Sequence, residues 1–181
     1  MDRLEENLVK LPEIADTIVK TQEEKVKQIA KKYKDSKVFF FLGRGISTAT
    51  AYEGRLKLME IAYIPSIAFP AGESKHGPIS LVENGFPAVF ICPKDDCHKT
   101  LIGNIMEMKA RDAHIIAIIE EGDEEIKALA DDYIEVPKGI PGVLSPIPFV
   151  VPLQLLAYYV ALEKGYDPDM PRNLAKCVTV K

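Results

Sequence analysis

Lys37-Val38-Phe39-Phe40-Phe41-Leu42-Gly43-Arg44-Gly45-Ile46-Ser47-Thr48-Ala49-Thr50 is the stretch that decides the fold. Val38 to Leu42 is continuously apolar and β-prone, with no polar residue alternating through it. A strand of that kind is covered on both faces, as central strands of parallel sheets are. The run stops at Gly43, and a helical stretch is expected from about Ser47 to Tyr63.

The same alternation repeats downstream. Short strands are expected at Pro65–Phe69, Ala88–Cys92, His114–Ile119 and Tyr133–Val136. Between them lie helices from about Lys94 to Arg111 and from about Glu124 to Ala130. Strands alternating with helices make a parallel sheet covered on both sides, because right-handed crossovers put the helices there. The expected class is therefore α/β: a three-layer α/β/α sandwich around a five-stranded parallel sheet, flavodoxin-like in plan.

Upstream, Leu4, Leu8, Leu11, Ile14 and Ile18 recur at helical spacing, and Val26, Ile29, Ala30 and Tyr33 continue it. That pattern fits two amphipathic helices or one helix bent at Pro12. Downstream, residues 137–152 hold five of the thirteen prolines and read as a stiff loop. Leu153 to Leu162 reads as a final helix. The expected organisation is N-terminal helices over residues 1–34, one α/β domain over 35–165 and an irregular tail over 166–181.

With 181 residues the chain suits a single core. Its 47% hydrophobic and 28% charged residues are those of a globular protein. A net charge of -4 gives no electrostatic footprint for a nucleic acid. The charged N-terminus and the lack of an evident apolar run of about 20 residues lead to an expectation of no membrane span and a cytoplasmic location. Cys92, Cys97 and His98 lack a second ligand pair, so no metal is expected. His98 and His114 are read as structural, and no cofactor is expected.

Three clusters carry candidate chemistry. The loop Gly43-Arg44-Gly45, with Ser47, Thr48 and Thr50, follows a strand and opens a helix, where phosphates are commonly held. It is equally a glycine turn with ordinary caps, and it lacks the third glycine of the dinucleotide fingerprint. On the following helix Glu53, Lys57 and Glu60 are spaced four and three apart and share one ridge. That ridge is either a solvated ion ladder or a carboxylate and an amine held together for proton transfer. Finally, Gly72-Glu73-Ser74-Lys75-His76-Gly77 is a charged loop between glycines, and its histidine is either a helix cap or a proton carrier.

Glu53 to Ile64, then Ala71-Gly72-Glu73-Ser74-Lys75-His76-Gly77-Pro78, resemble the second sugar-isomerase (SIS) subdomain of the glutamine–fructose-6-phosphate aminotransferase (isomerizing) family, the glucosamine-6-phosphate synthases. Residues 151–158 and the run Asp169-Met170-Pro171-Arg172-Asn173-Leu174-Ala175-Lys176 resemble that family's C-terminus nearly residue for residue. The resemblance implies that Lys176 forms a Schiff base with an open-chain keto sugar phosphate. It implies Glu60 as the acid/base between C1 and C2, with Lys57 as its partner. It also implies that His76 opens the sugar ring from a neighbouring subunit, hence a homodimer. Gly43, Arg44, Gly45, Ser47, Thr48, Thr50, Glu53 and Ala175 are the expected substrate contacts. The family's glutaminase region and first SIS subdomain have no matching residues, so a glutaminase or other SIS partner chain is expected to supply ammonia and the phosphate grip. Cys177 stands where the family usually has serine. A non-catalytic phosphosugar-binding module is the alternative to an enzyme.

Overall fold

The computed structural model describes residues 2–174. Five parallel strands lie in the order β2-β1-β3-β4-β5: β1 Phe39–Gly43, β2 Ser66–Pro70, β3 Pro87–Cys92, β4 His114–Glu120 and β5 Asp132–Val136. The run that predicted a central strand is one. Every residue of β1 is buried, with Phe40 opposite Ala88 of β3 and Ile67 of β2.

Alternate residues of the strands feed two cores. Phe39, Phe41, Val89, Ile91, Ile116 and Ile118 face a layer of three helices: α1 Asp2–Tyr33, α2 Ser47–Ala62 and α5 Pro146–Glu163. Phe40, Leu42, Phe90, Cys92, Ile115 and Ile119 face the opposite layer, made by α3 His98–Lys109, α4 Glu124–Lys127 and the 3₁₀ segment Ala71–His76. The three-layer sandwich expected from the sequence is the observed architecture.

Of the two readings at Pro12, the structure takes a single helix of 32 residues with that proline inside it. Pro12 and Leu8 are both exposed, so the carbonyl that loses its intrahelical partner meets water. α1 is part of the core layer, since Ile18, Val26, Ile29, Ala30 and Tyr33 are buried against it.

Three expectations are corrected. Residues 146–152 are not a loop but the first turns of α5. Pro146 and Pro148 occupy the opening turn, where the missing N–H has no helical partner in any case, and only Pro152 lies deeper. Recognising that helix also removes the basis for finding no membrane-length segment. Gly142–Glu163, 22 residues, is long and apolar enough to span a bilayer by length and composition alone. In this fold α5 packs between α1 and α2, where Phe149, Leu153, Leu156, Ala157, Val160 and Ala161 are buried, which accounts for its hydrophobicity. The third helix also starts later than expected, at His98, because the Asp95 carboxylate accepts the Cys97 N–H at 2.8 Å and its carbonyl accepts the His98 N–H.

Candidate active site

α2 runs antiparallel to the strands, so its two ends carry two different places. Its N-terminus sits at the carboxyl end of β1. Gly43 is required there, because a Cβ would lie 2.4 Å from the Ser47 carbonyl oxygen. Ser47 and Thr50 turn inward and are buried, and the Thr50 hydroxyl has no hydrogen-bond partner. Arg44 instead reaches out along Gly72, whose missing side chain leaves room for the guanidinium, 2.7 Å from where a Cβ would be. Asn104, nearly fully buried, accepts from Arg44 at 3.1 Å and donates to Glu107 at 3.1 Å, and Lys75 donates to Glu107 at 3.0 Å. Those residues, with Lys99, Thr100 and Glu73, line a cavity of about 500 Å³.

Along α2, from six residues on at Glu53 to thirteen at Glu60, about 9 to 20 Å at the helical rise, lies the ion ladder. The Lys57 ammonium is 2.6 Å from a Glu60 carboxylate oxygen and 3.4 Å from Glu53. The hydrogen bond to Glu60 is the main reason Lys57 is held above its ordinary pKa, so the amine stays charged. All three side chains are only partly exposed, and Glu60 opens into a groove of about 530 Å³. Leu56, Met59, Tyr63 and Ile64 form its apolar walls, and Arg172, Asn173 and Leu174 cross it from the C-terminal tail. Earlier in the tail, Pro168 and Asp169 line a neighbouring cavity with Lys57. The tail therefore passes both members of the pair.

The structure brings together Glu53, Lys57, Glu60 and the approach to the tail. It does not bring Gly43–Ser47 to Glu60, although Thr50 lies one turn from Glu53 on the same helix. His76 is exposed beyond the carboxyl end of β2, whereas Pro65, just before β2, lines the Glu60 groove. A five-residue strand spans about 16 Å, so His76 and Glu60 of one chain lie beyond opposite ends of β2. Ala175 and Lys176 lie outside the described residues. His98 and His114 join elements as expected: His98 pairs with the buried Asp123 at 2.6 Å, and His114 meets the Tyr33 hydroxyl at 3.4 Å. Cys92 is fully buried and its thiol pKa is pushed up by burial. Tyr63, Lys75, Lys99 and Asn104 were not singled out by sequence reading. Tyr63 had a signal: α2 must stop before Pro65, and no glycine is available to end it.

The SIS domain family model matches residues 32–164. This chain belongs to the SIS domain family. Among relatives, the SIS domain here is similar to the glutamine–fructose-6-phosphate aminotransferase (isomerizing) of Methanothermobacter thermautotrophicus, 45% identical over 181 residues, all of this chain and 30% of that protein. It is similar also to that of Thermus thermophilus, 48% identical over 179 residues, 99% of this chain and 29% of that protein. The chain thus spans about 30% of the length of the curated relatives it matches. Among solved structures, the C-terminal domain of glucosamine-fructose-6-phosphate aminotransferase from Francisella tularensis superposes with a TM-score of 0.83 at 35% identity. That match covers 90% of this chain and 45% of the other. Tagatose-6-phosphate ketose/aldose isomerase from Escherichia coli, at 19% identity and TM-score 0.74 over 94% of this chain and 47% of the other, shares the fold alone.

Proposed function

We propose that this SIS domain is the isomerase part of an aminotransferase acting on fructose 6-phosphate, with its chemistry at the Glu60 groove. The observation that carries the reading is the tail. It runs past the Lys57–Glu60 pair to Leu174, two residues before Lys176. Lys176 follows Leu174 by about 7 Å of chain at most, and in this reading its amine acts in the groove that Leu174 and Glu60 line. The relatives named for this reaction match the chain through that same tail.

In this reading the open-chain ketone at C2 condenses with the Lys176 amine and water leaves; ammonia then adds at C2 and expels the lysine amine, leaving the C2 iminium of ammonia. The resulting iminium makes the C1 hydrogens acidic. The Glu60 carboxylate takes a C1 proton and returns it to C2, while the C1 hydroxyl loses its proton and becomes the aldehyde. With ammonia as the donor, nitrogen stays on C2 as the amine. Lys57, held as an ammonium, is not the base. It fixes the Glu60 carboxylate at 2.6 Å. His76 lies too far from its own Glu60 to open the ring there, which fits its use in a neighbouring copy and hence a homodimer. Ammonia from a glutaminase chain or domain fits the same scheme.

One observation favours a binding role alongside. Arg44 sits partly buried with Asn104 as its polar partner and no carboxylate among the described residues, in a cavity that also carries Lys75 and Lys99. With Glu73 and Glu107 the only acids among the described residues of that lining, the Arg44 charge has room for an anionic group, a part in phosphate binding distinct from the catalytic groove. The test is incubation with fructose 6-phosphate and ammonium, followed by assay for glucosamine 6-phosphate. Formation that Glu60→Gln abolishes is expected. Sugar-phosphate binding lost in Arg44→Ala, without any turnover by the wild type alone or with a glutaminase partner, would leave only the binding module.

A further inference from the structure

Tyr63 is where α2 ends, and its backbone is left-handed, with φ 56° and ψ 32°. Glycine is the usual occupant of such a position, because a Cβ is strained there. Among the described residues only Tyr63, Asp112 and Asn173 adopt positive φ without being glycine, and a tyrosine is the least suited of the three. Strain retained at one residue has to be offset by what its side chain does.

The Tyr63 side chain serves the tail. Its hydroxyl oxygen accepts the Arg172 backbone N–H at 2.8 Å. Its ring lies under the Arg172 guanidinium at 4.0 Å, and its edge meets the Tyr166 ring at 4.9 Å. Tyr166 and Arg172 are both exposed, so these contacts add nothing to the core and act only on where the tail lies. The left-handed turn aims the ring away from α2, into the groove that Glu60 shares with Arg172, Asn173 and Leu174. Asn173, with φ 62°, turns the chain immediately after the contact.

We infer that Tyr63 is a positioning residue: a latch that seats the C-terminal tail across the Glu60 groove. It rests on the reading that this tail delivers Lys176 to the site. A glycine would suit the backbone and release the tail. The tyrosine gives up local backbone ease to hold the segment that carries the reactive amine.

Hydrogen exchange of the full chain tests the latch without any substrate. Tyr63→Phe keeps the ring and removes the acceptor, so the Arg172 amide should exchange roughly five- to tenfold faster, the weight of one hydrogen bond. The Tyr166 amide, bonded to the Ala161 carbonyl at 2.9 Å, and the core amides of β1 should not change. Tyr63→Gly should free the tail further, speeding trypsin cleavage after Arg172, with a melting temperature no lower than wild type. Unchanged Arg172 exchange in both variants overturns the latch. So does a Tyr63→Gly protein whose core amides and melting temperature fall together, because Tyr63 would then be a packing residue. With fructose 6-phosphate and borohydride, Tyr63→Phe should raise the sugar concentration for half-maximal trapping at Lys176 and leave the maximum unchanged. Absence of any trapping in wild type counts against the catalytic reading, and the exchange result still decides the latch.

Discussion

At the residue scale, small differences in position separate chemical from structural roles. Lys57 and Glu60 form the closest pair on α2 at 2.6 Å, yet both remain partly exposed. Exposed pairs of this kind contribute about 0–1 kcal/mol to stability. Glu60→Gln should therefore leave the denaturation midpoint nearly unchanged while cutting sugar turnover by about 10²–10⁴-fold, the usual weight of a positioned acid/base. A large stability loss with modest loss of turnover would make the pair an ordinary ladder. Gly43 behaves in the opposite way. A Cβ there collides with the Ser47 carbonyl, and Gly43→Ala should lower stability by about 1–3 kcal/mol in a denaturant titration. The four-and-three spacing made the ladder legible in the sequence. It left open whether that ridge met water or a groove, because the tail that forms the groove wall is more than a hundred residues away.

Elements carried most of what the sequence revealed. The two-face-apolar run at Val38–Leu42 and the repeated strand–helix alternation lead directly to the observed sheet, since each strand's burial is written in its own residues. The first turns of α5 were concealed because they are built with prolines, which sequence reading takes for loop punctuation although an opening turn tolerates them. Leu153, fully buried in that helix and pressed toward Gly54 of α2, should cost about 2–5 kcal/mol on substitution by alanine. The 3₁₀ segment Ala71–His76 is held to α3 by a different means. The Glu107 carboxyl is held below the ordinary carboxylate range, first by the Lys75 ammonium and then by the Asn104 amide. A carboxyl depressed on folding contributes stability above its unfolded value and loses it as pH falls through the folded one. Exchange in Ala71–His76, corrected for intrinsic rates, should quicken below about pH 4, and Glu107→Gln should flatten that response. Equal pH dependence in the variant would detach the segment from the ion pair.

For the whole molecule, the decisive fact is that the loops at the carboxyl ends of the strands and the Glu60 groove lie at opposite ends of the strands. The resemblance placed Gly43–Thr50 and Glu60 in one site and drew His76 from a neighbouring subunit. The antiparallel course of α2 and the length of β2 separate them. If sites are shared between copies, His76→Ala and Glu60→Gln chains, each inactive alone, should recover up to about a quarter of wild-type turnover when mixed and reassembled. No recovery, with a strict monomer by light scattering, would confine the chemistry to one chain. The central claim is that the tail delivers Lys176 to the groove of Glu60 and Lys57, and borohydride trapping with fructose 6-phosphate tests it most directly. The account predicts a sugar-phosphate adduct on Lys176 by peptide mass, absent from Lys176→Ala while the fold is retained. Demonstrated sugar binding with no adduct on Lys176 would contradict it.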